Sequence, residues 1–406
     1  MSRPLPTGVQ LTALDPRFRD DPYPVLAELR EREPVHRDTE LNRWVFTRHA
    51  DVFEILRNAD LVSDPRKGNP GSFSRRFLGN EDQEPSMLMM DDPGHRRLRE
   101  LVRHPFKPHA VERWRGRVRE IAERVINQID QIDDEEFDLI DRVANPIPTV
   151  VIAELLGIDP DMHEGFKAWS EAMIKVGFSP VSEPADLQAA DEARKSLNAF
   201  FAGEIARRRR EPSDDLISEM VQAEEAGDRL TENEIISQAN LLLLAGNLTT
   251  TDLIGNGVMA LLENPEQLAK LRAQPQLMKN AVEEILRYDS PVVGSGRIAH
   301  EDMEIAGQKV RKGDSLSVFL AAANRDPTVH PDPDRFDIER REIHHQSFGG
   351  GNHFCLGSHL ARLEAEETLT VLLEQFPSLT HGDGGHHYAS NPGFRGLAEF
   401  WIKGER

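Results

Sequence analysis

The chain has 406 residues, 38% of them hydrophobic and 29% charged, with a formal charge of −21 at neutral pH and a single cysteine. A surface this acidic repels nucleic acid and anionic membrane, and one thiol forms no internal disulfide, in keeping with a reducing compartment. The opening MSRPLPTGVQLTALDPRF carries no charged-then-apolar leader, and the apolar run at Leu241–Leu244 is soon broken by Gly246, Asn247 and Thr249, so the expectation is a cytoplasmic protein without a membrane anchor.

Taken in order, the first strand pair is predicted around Val35–Arg37 and Trp44–Thr47, with a helix from His49 to Arg57 behind it. Leu61 to Met90 is rich in Gly, Pro and Ser; Phe73, Phe77 and Met87–Met90 predict a loop folded over something apolar. Pro93 opens a helix bearing His95, Arg96, Arg97, Arg99 and Arg103. Thr231 and Glu234 spell a capping box ahead of a run that ends at Asn264-Pro265. At about 1.5 Å per residue this helix is roughly 45 to 50 Å long and must cross the core. Its centre, LLLLAGNLTTTD, holds poor helix formers whose hydroxyls need partners. After Pro291 short alternating segments predict a β-rich region. No repeat or flexible linker divides the chain, which predicts one domain over residues 1–406, mainly α with a smaller β-rich lobe.

The cysteine lies in FGGGNHFCLG, Phe348 to Gly357. A lone buried cysteine is most often an inert small hydrophobe. Here Gly349, Gly350 and Gly351 permit a tight, left-handed backbone whose N–H groups can point at the sulfur, and Gly357 lets a bulky group approach. The pattern Phe348-Gly349-x-Gly351-x-His353-x-Cys355-x-Gly357 resembles the haem-ligand loop of the cytochromes P-450. That resemblance implies the fold of that family, with its long central helix passing over the haem, and haem b (iron protoporphyrin IX) as cofactor. Cys355 becomes the axial thiolate on iron, Phe348 its shield, and Ala245 and Gly246 the part of the helix against the haem. The propionates fall to His95, Arg99, Arg297 and His353. Glu284-x-x-Arg287 matches the family's structural pair. The spacing alone says little, since it recurs at Glu100/Arg103 and Glu112/Arg115; its place upstream of the cysteine loop singles it out. Arg335 of HPDPDRFD is then expected as the third partner.

The resemblance further implies an enzyme that inserts one atom of O2 into an apolar molecule, with electrons passed from an NAD(P)H reductase through a ferredoxin or similar redox protein. Peroxide-driven or non-oxidative haem-thiolate chemistry is the alternative, and a haem-binding sensor a third. Phe73, Phe77, Met89, Met173, Val176, Leu244, Leu248, Val292, Val293 and Phe394 are the expected substrate walls, suiting a terpenoid, steroid-like or fatty molecule. Arg96, Arg97, Arg103, Lys107 and Arg362 are expected to form a basic face for the redox partner. One departure stands out: the family's central helix often reads A-G-x-[DE]-T-T, but here Leu248 replaces the acid before Thr249. A hydroxyl passes protons without being their net source, so water or Asp252, one turn along, is expected to supply them.

Overall fold

The computed structural model describes residues 4–77, 85–129, 136–158, 163–177, 179, 181–225 and 228–405. The expected strand pair is antiparallel, Val35–Asp38 against Arg43–Phe46, and the helix His49–Arg57 follows it. This early pair does not stand alone. Arg43–Phe46 runs parallel to Ser315–Phe319 from far along the chain, giving a five-stranded sheet completed by Gly294–Ala299 and Leu61–Val62. Parallel neighbours need a crossover, and here most of the helical body forms it.

The central helix is Glu232–Glu263, capped as its sequence predicts: the Thr231 hydroxyl accepts from the Glu234 N–H, and the Glu234 carboxylate accepts from the Thr231 N–H. Every residue from Thr250 to Leu261 is buried, as in a helix enclosed by others, although Thr250, Thr251, Asp252 and Asn256 are polar. The main core surrounds it, drawing on Pro146–Leu156, Arg115–Asn127 and Met278–Tyr288.

The β-rich reading of the last third omits two helices, the short Leu320–Asn324 and a longer one. Ser358–Gln375 is an 18-residue helix that begins just after the cysteine and buries Leu360, Leu363, Leu369 and Leu372 in the helical core. The cysteine loop is therefore strung between the sheet lobe and a core helix. The chain ends in two long antiparallel strands, Ser378–Tyr388 and Leu397–Glu405, the second also pairing with Glu136–Asp138.

Candidate active site

Gly349 and Gly351 have φ of 68° and 65°, the left-handed region that favours glycine, and a Cβ on Gly351 would lie 2.5 Å from the Leu56 carbonyl oxygen. The turn closes through the Cys355 N–H, which donates to the Phe348 carbonyl at 2.9 Å. Cys355 keeps exposed surface, yet the protein around it is dense enough that burial pushes its thiol up, against the Gly357 N–H, Arg99 and Arg362, which favour the thiolate. Such a side chain looks into an internal cleft. A Cβ on Gly357 would meet only open space. Beneath the loop, the Arg362 guanidinium lies 4.4 Å from the centre of the Phe348 ring and pairs with Glu283, which also contacts His345. Although burial alone would raise it, those two partners bring the Glu283 carboxyl down to about 2.

The central helix presents a matching strip. Ala245 is exposed and Gly246, Leu248 and Thr249 are half-buried, in a helix whose neighbouring positions are mostly closed. The Thr249 hydroxyl donates to the Ala245 carbonyl at 2.9 Å, the local back-bond open to a mid-helix threonine, leaving its lone pairs free to accept.

Four basic side chains gather at one edge. The His95 and His353 rings are 4.2 Å apart, Arg99 donates to the Phe354 carbonyl, and His353 feels both Arg297 and Arg99. Burial is the first cause that pulls His353 down to about 3 and Arg297 to about 10. Arg297 is only 6% exposed and donates to carbonyls of Gly296, Leu56 and Gly350; among the described residues no carboxylate lies within ion-pair distance. A buried guanidinium with neutral partners alone is costly. An exposed thiol, an open helix strip and a basic edge at which the buried Arg297 has no carboxylate partner together fit a flat apolar macrocycle with carboxylate arms and an iron that takes sulfur. No group of three or more His, Cys, Asp or Glu side chains placed to hold a metal ion is present among the described residues.

A family model, Cytochrome P-450, matches residues 45–392. The chain belongs to the cytochrome P-450 family. It is 39% identical to cytochrome P-450 107B1 of Saccharopolyspora erythraea over 379 residues, 91% of each chain. It is 38% identical to the 6-deoxyerythronolide B hydroxylase of the same organism over 375 residues, 90% of this chain and 91% of that one. Among solved structures, myxobacterial cytochrome P-450 CYP267B1 in complex with myristic acid superposes with a TM-score of 0.89 at 35% identity, covering 97% of this chain and 98% of that one. Members bind haem b through a cysteine thiolate, and this P-450 is an oxygen-incorporating oxidoreductase. No described helix is long and apolar enough to cross a membrane.

The structural cluster needs a correction. Glu284 and Arg287 are fully buried and joined twice, Nε to Oε2 at 2.7 Å and Nη2 to Oε1 at 2.8 Å. The third partner is Arg340, whose Nε reaches Glu284 Oε1 at 3.1 Å. The Arg335 side chain is 64% exposed and faces Asp337, and only its carbonyl joins the cluster, accepting from Arg287 and Arg340. Spacing locates the DPDRFD segment but does not show that the inward arginine is Arg340, three residues beyond it, rather than Arg335 within it. The cluster reaches the cysteine loop through Asn324: Arg287 donates to the Asn324 carbonyl, and the Asn324 side chain bonds the Gln346 N–H and the Ser347 hydroxyl.

Among the expected substrate walls, Leu244, Val292, Met89, Met173 and Val176 are half-buried, and Val292 bridges to Phe394. Val293, one residue on in an extended segment, points the other way into a core with Phe18 and Phe319. Phe73 lies over Arg43, its ring centre 4.4 Å from the guanidinium carbon, while the side chain of Phe77 falls outside the described residues. Leu248 is half-buried and also turns to the other flank of the helix. With Thr251 and Asp252 it lines a cavity of about 610 Å³ whose lining includes neither Ala245, Thr249 nor Cys355. Of the expected docking cations, Arg97 pairs with Glu234, Arg103 with Glu100 and Arg362 with Glu283, because helical neighbours and the fold supply carboxylates; Arg96 is exposed and Lys107 half-buried. Sequence reasoning missed Glu364, a buried carboxyl on the helix after Cys355 with one oxygen lacking a hydrogen-bond partner, which burial pushes well up. The stretch LEAEE holds three acids, Glu364, Glu366 and Glu367, and nothing local in the sequence marks Glu364 as the one left without a partner.

Proposed function

We propose that this P-450 hydroxylates or epoxidises an apolar, medium-sized molecule, using two electrons delivered one at a time by a ferredoxin-type protein, as a single haem domain spanning residues 1–406. The observation that carries the reading is the pairing of an accessible Cys355 with the open Ala245–Thr249 strip of an otherwise closed helix. When bound, the haem supplies the oxygen chemistry, with sulfur as the axial donor. His95, Arg99, Arg297 and His353 would hold its propionates. The Phe348 ring and the Arg362–Glu283 pair behind it keep water from the sulfur. Leu244, Val292 and Phe394 offer the substrate an apolar surface, in line with a relative named for hydroxylating 6-deoxyerythronolide B and a structural neighbour solved with myristic acid.

The haem-loaded protein, reduced under carbon monoxide, should give the thiolate difference band, and Cys355→Ser should abolish it. Macrolactones, steroids, terpenoids and fatty acids are then screened by the Soret shift on binding, and those that bind are incubated with ¹⁸O2, NAD(P)H, a ferredoxin and its reductase. One label atom per product is the expected result. Label-free product formed only with added peroxide would favour the peroxide-driven alternative instead.

A further inference from the structure

Each monooxygenase turnover joins substrate, O2, two electrons and two protons into product and one water, so a proton supply is as necessary as an electron supply. In this chain neither residue at the usual position can be the source. Leu248 has no titratable group, and Thr249 already donates its hydroxyl hydrogen to Ala245.

Behind the strip, Asp252 is 4% exposed and its Oδ2 has no hydrogen-bond partner. An unpartnered buried carboxyl oxygen is costly unless something occasional, such as water, serves it. The fold makes room for this group: a Cβ on Gly396 would sit 1.7 Å from Asp252 Oδ1, so any larger residue there would push the carboxyl out of its place. On the helix Asp252 follows Thr249 by three residues, the spacing at which side chains are neighbours, about 5–6 Å apart at Cβ.

The roughly 610 Å³ cavity that Asp252 lines runs from a solvent-facing rim to this carboxyl. Asp141, Glu171, Ala398 and Glu399 at the rim are exposed, while Ile140, Thr251 and Asp252 at the inner end are buried. It is roomy and polar enough to hold several waters.

We propose that this P-450 takes its protons from behind the central helix, through the cavity at Asp252, rather than from an acid beside Thr249. The reading rests on the monooxygenase function proposed above. The Asp252 O–H bond breaks as its proton is accepted by the Thr249 hydroxyl, whose own hydrogen is released from the Ala245 carbonyl toward the open side of the strip, so that Thr249 ends neutral, and the carboxylate regains a proton from cavity water in exchange with bulk. Burial, first, and then the charge of Asp289 push the Asp252 carboxyl well up, in the direction that favours its protonated form.

The test has one readout without turnover. Infrared difference spectra of the resting holoprotein should show a carboxylic-acid C=O stretch that Asp252→Asn removes. In D2O that band should shift at a rate which Ala398→Trp, a plug at the rim, slows several-fold without erasing the band. In turnover, Asp252→Asn should lower the rate by on the order of 10²-fold and enlarge the solvent isotope effect, Ala398→Trp should slow turnover in step with its slower exchange, and Leu248→Asp should partly rescue Asp252→Asn. A band that survives Asp252→Asn, or deuterium exchange indifferent to the plug, overturns the route even while the wild type incorporates label from ¹⁸O2. A wild type that incorporates no label from any binding substrate removes the reaction and the proposal with it, a failure recognisable because the infrared result is unaffected.

Discussion

Replacing Arg340 by alanine separates the cluster seen in the fold from the one that spacing suggests. Arg340 donates through Nε to the fully buried Glu284, through Nη1 to the Pro331 carbonyl at 2.7 Å, and through Nη2 to those of Asp332 and Arg335 at 3.0 and 2.8 Å. Glu284 retains both bonds from Arg287 and one from the Asp337 N–H at 2.9 Å, so its charge keeps one counter-ion. The loss is one charge-assisted bond to a buried carboxylate plus three half-exposed carbonyl bonds, about 2–3 kcal/mol in all. Glu284→Ala strands two arginines without a counter-ion and should cost more, about 3–5 kcal/mol. Arg335→Ala removes an exposed side chain whose only ion pair among the described residues is a 3.6 Å contact with Asp337 and keeps the carbonyl that matters; its effect should stay within about 0.5 kcal/mol. Urea midpoints of the haem-loaded variants report the order, and the rate of haem loss reports whether the Asn324 link transmits the damage to the cysteine loop. Loss at Arg335→Ala equal to that at Arg340→Ala would refute the reasoning, as would haem retention unchanged in Glu284→Ala.

Gly351→Ala must hold φ near 65° with a Cβ 2.5 Å from the Leu56 carbonyl; it should cost at least about 1–2 kcal/mol in backbone strain and raise the fraction of haem-free protein on purification, whereas full haem content would show that the turn adapts. Charge reversal at Arg96 and Lys107 together should slow reduction by a ferredoxin, most strongly at low salt, and leave substrate Soret shifts alone; stopped-flow rates unchanged at all salt concentrations would place the partner elsewhere. His330 is buried, its Nε2 accepts from the His344 N–H, and burial, then Arg287, hold it down to about 3. The unfolded chain protonates this residue near 6.5 while the native fold resists until about 3, so its contribution is present above about pH 6.5 and is lost as pH falls through that window. His330→Gln should flatten that limb of the stability curve, and an identical acid limb in the two proteins would exclude the assignment.

Local chemistry wrote several features directly into the sequence. The capping box at Thr231 and Glu234, the left-handed glycines around Cys355 and the long helix between them depend on neighbours a few residues apart, and each is found where the chain spells it. The family motif named the thiolate and gathered His95 and His353 against each other although 258 positions separate them. What the sequence left undecided is direction. Arg335 and Arg340 lie in one short segment with the same charge, and only the Glu284 pocket selects the second. Val292 and Val293 are alike in composition and differ by the face of an extended strand-like segment. Leu248 and Asp252 line a cavity that Thr249 does not, because the strand from Leu397 and the segment near Ile140 pack on that flank of the helix. Which side of a residue meets water, a partner or a cofactor depends on elements brought in from hundreds of residues away, and those contacts exist only after the chain has folded.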